Sequence, residues 1–268
     1  MEATMTITQT TCEDNIRVGS KELCIFLSHY SACLLGCGAT CIRLEKNVKR
    51  IAAAYNHDAE LTIMPRHIHV TVSAGDDTFT SMSAVDGKCI DFDLNTRLSR
   101  LSWKIADQKL SLDNARMLFQ KTKHPRRQNK MLLLLLVSVA NASFCRLFGG
   151  DLTAMAVVFI ATFSGFMIKQ LLMKYHTDVR LTVILCAFIS GVLGNTAILF
   201  SLGTTPKIAL ATSVLYLVPG IPFINSFSDV LYRHYICAFS RFVDAVVLTC
   251  CLSIGLCAAM LTMHTGMF

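Results

Sequence analysis

One apolar segment of this chain, residues 207–225, is long enough to cross a bilayer but contains Pro219, Gly220 and Pro222 near its centre. Proline has no amide hydrogen, and its ring clashes with the carbonyl four residues earlier, so a regular helix is predicted to break here. Broken backbone at membrane depth must face protein or a water-filled cavity, because lipid offers it no hydrogen bond. Transporters use such interrupted helices to hold substrates and ions. A packed proline kink is the structural alternative.

The predicted break has two chemical consequences. The carbonyls of Leu215 and Val218 would lose their helical amide partners and become available to a substrate ammonium or a coupling ion. A half-helix that restarts after Pro222 would present free amides and the positive end of its dipole to a carboxylate. The segment ends at Asn225, whose side-chain amide extends the same candidate site.

The charged residues are distributed very unevenly along the 268-residue chain. Residues 1–130 carry 18 Lys/Arg and 14 Asp/Glu, whereas residues 131–268 carry 7 and 4. The mean hydropathy is +0.50 and 53% of the residues are apolar. A spanning helix needs about 20 apolar residues. The second half supplies five such segments, at about 131–148, 152–173, 181–202, 207–226 and 242–263.

The first half predicts a small α/β (α+β) domain over residues 12–120. Helical spacing of apolar residues is followed by strict alternation over residues 67–73, which places Ile68, Val70 and Val72 on one face of a strand. Residues 1–11 are polar and are expected to be disordered. Residues 121–130 form a basic linker, and residues 131–268 form a five-helix all-α transmembrane bundle. The chain is therefore predicted to be a multi-pass membrane protein.

The basic residues predict its orientation. Ten lie in the linker and in the loops on the same side of the membrane, and two, Arg146 and Lys207, lie on the other side. The positive-inside rule then makes the N-terminal domain cytoplasmic and puts the C-terminus outside. Loop orientation accounts for the net charge of +7, and no basic stripe with interleaved aromatic residues indicates nucleic acid.

Two acids and one base are candidates for an ion pathway. Asp244 lies one turn into the fifth segment, and an ionisable residue at membrane depth is a functional candidate by default. It would carry a coupling proton or bind a cationic group; the alternative is an interfacial carboxylate paired with Arg241. Asp229 follows the broken segment and either lines the cytoplasmic mouth or is a plain loop acid.

Three further polar residues belong to the membrane half. Asn141 and Asn195 lie inside the first and third segments, where bonds between helices are favoured over a role in transport. Arg146 lies at the outer end of the first segment and either attracts an anionic substrate or reaches lipid phosphate.

The N-terminal half offers only weak signals for enzyme chemistry. His67 and His69 share one strand face and precede Asp76 and Asp77, a set of side chains that suits zinc. No nucleophile elbow, His-Glu-x-x-His or phosphate loop accompanies them, so exposed strand positions are favoured. The twelve cysteines include no Cys-x-x-Cys, and they suit a reducing compartment. No metal or cofactor is expected.

The order and spacing of several motifs resemble the threonine/serine exporter family over residues 15–265. The chain departs from the family at residues 232–235, where a small, glycine-containing stretch is usual. The motifs that carry the resemblance are Gly36-Cys-Gly-Ala39 before Arg43, Leu44 and Glu45; the strand His69-Val-Thr-Val-Ser73; Leu147-Phe-Gly-Gly-Asp151; and Leu217-Val-Pro-Gly-Ile-Pro-Phe-Ile-Asn225 followed by Asp229 and Arg241.

The resemblance implies export of small polar metabolites across the bacterial inner membrane, driven by the proton-motive force. The chain resembles the larger subunit of the split form, which works with a second small membrane subunit. Split pairs are associated with succinate and fused members with threonine and serine. A homo-oligomer, a membrane-anchored hydrolase using the histidines, and a regulatory subunit that senses substrate through its soluble domain stay open as alternatives.

Overall fold

The computed structural model describes residues 19–75, 77–85, 90–124 and 129–263. The contacts divide them into two compact units. The first unit holds the described residues before Arg127 together with Ile224–Arg241, and the second holds Arg127–Phe223 and the described residues from Phe242 onward. The predicted N-terminal tail, Asp76 and the C-terminus lie outside the described residues.

The first unit is an α/β arrangement, as predicted. Its antiparallel sheet has the order β1-β2-β3. In β2 the residues Ile68, Val70 and Val72 are buried, which confirms the alternation seen in the sequence. The elements in chain order are α1 (Ser20–Gly36), α2 (Cys41–Ala54), β1 (Asp58–Ile63), β2 (His67–Ala74), β3 (Asp77–Ala84), α3 (Phe92–Gln108) and α4 (Leu112–Lys123).

The core of the first unit lies between α1 and the sheet. Leu23, Leu27 and Leu34 of α1 are fully buried and recur at the spacing of one helical face. The Cys24 thiol donates to the carbonyl of Val70 at 3.1 Å, so the helix contacts β2 directly. This packing fixes the end of α1, and with it the loop that leads to α2.

Glycine is required in that loop. Gly38 has a φ of +89°, which L-residues rarely adopt. A Cβ built on Gly38 would also come within 2.9 Å of the Ile90 side chain. These two constraints separate α1 from α2, which begins at Cys41.

The second half of the chain consists of long apolar helices. Within the described residues, four of them are long and apolar enough to span a membrane, and a fifth span exists if one bent pair is counted as a single crossing. The chain is therefore a multi-pass membrane protein. The helices are α5 (Lys130–Leu147), α6 (Leu152–Lys174), α7 (Val179–Leu199), α8 (Pro206–Ser213), α9 (Gly220–Leu231) and α10 (Tyr235–Thr262).

Two of the predicted segments have different bounds in the structure. The segment predicted at 207–226 is a bent pair that continues to Leu231, and the segment predicted at 242–263 begins seven residues earlier, at Tyr235. Both extensions belong to residues 224–241, which pack in the first unit. Hydropathy alone could not assign them there, because their apolar faces continue the pattern of the spanning segments.

Small residues let the helices of the second unit approach closely. A Cβ on Gly255 of α10 would overlap the Ile184 carbonyl oxygen and come within 2.8 Å of the Ala187 Cβ, both of α7. A Cβ on Gly191 would meet the Ala259 Cβ at 2.9 Å. Such contacts allow close van der Waals packing where no hydrophobic effect operates between helices.

Candidate functional site

The broken segment is a tight turn between two helices. The segments Pro206–Leu217 and Gly220–Leu231 meet at 62°. The helix breaks at Pro219 as predicted, and the backbone forms a turn there. The Leu215 carbonyl accepts the amide of Val218 at 3.1 Å, and the Val218 carbonyl accepts the amide of Gly220 at 2.9 Å. The two carbonyls expected to be free therefore have partners within the turn.

The helix after the break also begins earlier than predicted. α9 starts at Gly220, before Pro222. Proline is tolerated in the first turn of a helix, where its missing amide would have no helical partner. Pro219 is buried immediately before the helix.

Buried polar side chains gather around this turn within the second unit. Asn141 of α5 donates to the Thr162 hydroxyl of α6 at 2.6 Å and to the Thr212 carbonyl of α8 at 3.1 Å. All three residues are at most 5% exposed. Asn141 thus joins three helices, which is the interhelical role the sequence favoured.

A second polar contact lies at the turn itself. The hydroxyls of Tyr216 and Ser190 are 2.9 Å apart, and Ser190 also donates to the Ala161 carbonyl at 3.2 Å. A Cβ on Gly165 would overlap both hydroxyls, so the space for this contact depends on that glycine. Asn141, Thr162, Ser190, Thr212 and Tyr216 are called the polar cluster below.

A different set of polar residues lies within the first unit. Asp229 of α9 is fully buried, and its carboxylate pairs with the Arg241 guanidinium of α10 at 3.0 Å. The Cys41 amide donates to the same carboxylate at 2.9 Å. Arg241 does not pair with Asp244, and Asp229 is neither a loop residue nor exposed. Those two alternatives from the sequence are wrong.

The pair belongs to a larger set of contacts on the loop after α1. Arg241 donates to the Ala39 carbonyl at 2.7 Å, and Asn225 donates to the Gly38 carbonyl at 3.0 Å. A hydrogen bond to the Cys237 thiol, together with burial, raises the pKa of the Cys41 thiol, which therefore stays neutral. Asn225, Asp229 and Arg241, with the loop residues they bind, are called the loop clamp below.

The turn between α9 and α10 explains the unusual stretch at residues 232–235. Arg233 has a φ of +64°, which glycine adopts readily and other residues rarely do. Next to it, His234 lies 3.6 Å from the Glu45 carboxylate, a contact that pairs charges only when the histidine is protonated. The fold thus keeps a glycine-like backbone at a position where the chain has arginine.

The remaining predicted residues belong to the second unit. Asp244 is exposed on α10 and makes no hydrogen bond or ion pair with any residue that the structure describes. Asn195 is fully buried and donates to the Ala259 carbonyl at 3.5 Å. Arg146 is exposed and donates to the Gly150 carbonyl at 3.1 Å.

The motif ending at Asp151 is a structural connection between two loops. The Asp151 carboxylate caps α6 through the amide of Ala154 at 2.7 Å and also accepts the amide and the hydroxyl of Thr204. The Asp151 amide donates to the Thr205 hydroxyl at 2.9 Å. The Ala154 and Thr204 amides, with the Thr153 and Thr204 hydroxyls, lower the pKa of Asp151.

The sheet does not bring His67 and His69 close to Asp77, as the hydrolase alternative requires. His67 pairs with Ala84, whereas Asp77 pairs with Ala74 at the other end of the same hairpin. At about 3.3 Å per residue, Asp77 lies roughly 17 Å along the strand from His69. No group of three His, Cys, Asp or Glu residues suited to a metal occurs in the described part of the chain. Asp77 therefore does not share a site with His67 and His69, and Asp76 lies outside the described residues.

Comparison with known proteins identifies the family. Residues 26–263 match the ThrE family model, described as "Putative threonine/serine exporter". The chain belongs to the threonine/serine exporter family. This confirms the resemblance seen in the motifs, and the match includes both the polar cluster and the loop clamp.

Two curated proteins are similar to this member of the exporter family. One, "Probable succinate transporter subunit YjjP" of Klebsiella aerogenes, is 29% identical over 240 residues, 89% of this chain and 92% of the relative. The protein of the same name from Escherichia coli K12 is 34% identical over 140 residues, 51% of this chain and 54% of the relative. No solved structure matches the chain significantly.

Part of the polar cluster and part of the loop clamp were not predicted from the sequence of this exporter-family chain. Thr162, Ser190, Thr212 and Tyr216 were not predicted as site residues. A usable signal was present, since each is a hydroxyl residue inside an apolar segment and must find a partner there. The Gly38–Cys41 loop gave no signal that it binds residues 187 to 202 positions later.

Proposed function

We propose that this chain is the larger subunit of an exporter for small polar metabolites, either amino acids of the threonine/serine type or a dicarboxylate such as succinate. The observation that carries the proposal is the polar cluster, which gathers around a broken apolar segment. Interrupted helices with polar side chains near them are a recurrent way for transporters to build a substrate site.

The polar cluster suits a polar substrate. Its hydroxyl and amide groups bond one another in the present arrangement, and a substrate would replace those bonds with its own. The positive dipole end of α9 begins at Gly220, next to the turn that contains Tyr216, and it favours a carboxylate. Both substrate classes carry that group.

We further propose that Asp244 carries the coupling proton. It is an acid on α10, one of the helices able to span the membrane, and its side chain is exposed in the single chain. An acid at membrane depth needs protein or water around it. A second small membrane subunit that covers this face would supply both, and the two curated relatives are named as subunits.

The proposed location is the bacterial inner membrane, with the first unit in the cytoplasm. The basic residues support this orientation. Lys121, Lys123 and Lys130 precede the first spanning helix, and Lys174 and Arg180 flank the next connection on the same side.

The test is efflux from cells that express this chain, a small membrane protein of the same family, or both. Cells are loaded in turn with succinate and with a threonine-containing dipeptide, with and without a protonophore. We expect protonophore-sensitive efflux of one compound only when both proteins are present. Absence of efflux with both proteins shown to be in the membrane contradicts the proposal.

A matched variant links efflux to the polar cluster. Tyr216→Phe removes the hydroxyl that contacts Ser190 but keeps the ring. Ser143→Ala removes a hydroxyl that bonds only within α5 and is exposed. We expect the first variant to lower efflux and the second to leave it unchanged at equal protein levels. Equal efflux from the two variants would show that the polar cluster takes no part in transport.

A further inference from the structure

The first unit contains a cavity that the exporter activity does not use. It measures about 750 Å³ and is bordered by α1, α3 and α4. Ligand pockets in proteins usually have volumes of about 300–1,000 Å³ and combine apolar walls with a few charged groups. The cavity is large for a four-carbon dicarboxylate, and it belongs to a unit with its own core.

The floor of the cavity is aromatic. Phe26 of α1 and Phe119 of α4 both line it, and their rings meet edge to face with centroids 5.9 Å apart. Leu94 of α3 completes the apolar surface. An aromatic ring in the cavity could extend this edge-to-face arrangement, which aromatic groups prefer over a face-to-face stack.

The rim of the cavity is cationic. Arg97, Arg116 and Lys123 line it, and among the described residues Asp91 is the one acid that does so. The Asp91 carboxylate already accepts the amide of Leu94 as the cap of α3. Burial raises the pKa of the Cys37 thiol to about 12, so Cys37 adds no negative charge to the lining.

The cations of the rim remain able to bind an anion. Arg116 contacts the Glu22 carboxylate at 3.3 Å, the Glu22 carbonyl at 3.2 Å and the Asp113 carboxylate at 3.6 Å, and the two acidic side chains are 62% and 92% exposed. Exposed pairs of this kind contribute little energy, because water screens them. Lys123 forms no ion pair with any residue in the described ranges. Arg97, by contrast, is held by Asp93 at 2.9 Å and serves mainly as fixed positive charge.

We propose that this cavity is a binding site for an aromatic carboxylate, distinct from the transport pathway. The ring would lie on Phe26 and Phe119, and the carboxylate would bind Arg116 and Lys123 at the rim. Charge-assisted hydrogen bonds from arginine to a carboxylate are the strong kind, so the anion gains more here than a neutral analogue does.

The position of the cavity gives the ligand a regulatory effect. Gly36 and Cys37 line the cavity and lead directly into the loop whose Gly38 and Ala39 carbonyls bind Asn225 and Arg241. A ligand that fixes the end of α1 therefore stabilises the loop clamp. This effect on transport rests on the proposed exporter function, whereas binding itself does not.

Binding is measured by calorimetry on the full chain in lipid nanodiscs, with cinnamate as the probe and cinnamamide as its neutral analogue. Empty nanodiscs give the blank. We expect cinnamate to bind at least about tenfold more tightly than cinnamamide, the ratio that one charge-assisted hydrogen bond supplies. Equal affinities, or no heat above the blank for cinnamate, overturn the proposal.

Three variants locate the site. Arg116→Gln removes a rim charge and is expected to weaken cinnamate binding about tenfold. Ala32→Trp fills the cavity, which Ala32 lines, and is expected to abolish binding. Lys104→Gln makes the same charge change on the exposed face of α3, away from the cavity, and is expected to have no effect. Undiminished binding to Arg116→Gln overturns the proposal, even if Ala32→Trp fails to fold.

Efflux then separates binding from regulation. Cinnamate is added to cells that export through the two-subunit system, and efflux is compared between the native chain and Arg116→Gln. A change in efflux for the native chain alone supports the regulatory effect. If cinnamate binds but efflux does not respond, the site stands and the regulatory effect is wrong. Failure of the system to export leaves the calorimetric result unaffected.

Discussion

The Asp229 carboxylate lies 3.0 Å from the Arg241 guanidinium, with the aspartate side chain completely buried and the arginine side chain 19% exposed. The contact is an ion pair between two helices that follow one another in the chain. Removal of one partner from such a pair leaves a buried charge without compensation. The loop clamp therefore depends on both residues.

We predict that Asp229→Asn lowers the free energy of unfolding by about 3–5 kcal/mol, because Arg241 keeps its charge in a largely buried position. Thermal or denaturant unfolding of the purified chain measures the change. Asp107→Asn, on the exposed face of α3, is the matched control. The double variant Asp229→Leu with Arg241→Met should recover most of the loss, since apolar residues can replace a buried pair. A loss below about 0.5 kcal/mol in the single variant contradicts the role of the pair.

Asn141→Leu is expected to destabilise the second unit by about 1–2 kcal/mol, because two interhelical hydrogen bonds disappear inside apolar surroundings. Unfolding in mixed micelles measures it. Ser143→Ala is the control on the same helix, since the Ser143 hydroxyl is exposed and bonds only to the Val139 carbonyl. Equal stability of the two variants would show that Asn141 does not join the helices.

Gly220→Ala tests whether glycine at the break serves function rather than packing. A Cβ there meets no heavy atom within 4 Å, so the fold should accept alanine. We expect unchanged stability but reduced efflux, because the methyl group would occupy space next to the substrate. Gly165→Ala is the contrasting variant, expected to lose stability through overlap with Tyr216 and Ser190. Normal efflux from Gly220→Ala would show that Gly220 does not border the substrate pathway.

Asp244→Asn should abolish protonophore-sensitive efflux while the chain stays in the membrane, since an amide cannot carry the proton. Asp244→Glu keeps the carboxyl group and should retain part of the activity. Efflux assays at matched membrane levels distinguish the two. If Asp244→Asn exports normally, the coupling acid lies elsewhere.

The Asp151 cap should make stability fall in acid. The amides and hydroxyls that contact Asp151 lower the pKa of its carboxyl group in the folded chain. Its contribution is therefore fully present above the unfolded value of about 3.9 and is lost as the pH falls from there through the lower folded value. Thermal unfolding between pH 5 and pH 3 measures this. Asp151→Asn should show a weaker dependence, and an identical pH profile would contradict the cap.

The sequence predicted the elements best where one physical rule dominates. Alternation in β2 decided which side chains face the core, because one face of the sheet packs on α1. The apolar segments were found because a bilayer fixes their length. The break at Pro219 was predicted because proline cannot continue a helix, but the turn that pairs the Leu215 and Val218 carbonyls was not. Proline excludes a continuous α-helix, but it does not determine which turn replaces the helix.

The loop clamp could not be predicted from local rules. Asp229 binds an amide 188 positions earlier in the chain, and nothing in the residues around Cys41 indicates a need for a carboxylate. Arg241 was paired with Asp244 because the two are three residues apart on one helix, a spacing at which side chains meet. Arg241 pairs with Asp229 instead, because a buried carboxylate requires a partner more than an exposed one does.

The connection at Asp151 constrains how this molecule can move. Three hydrogen bonds join the loop before α6 to the loop between α7 and α8, two of them to the carboxylate and one from the Asp151 amide. A rearrangement that parted these loops would break all three together. We therefore expect these two loops to move together in a transport cycle. The conformational change that admits or releases substrate would then occur at the other ends of the helices or at the turn at Leu215–Leu217.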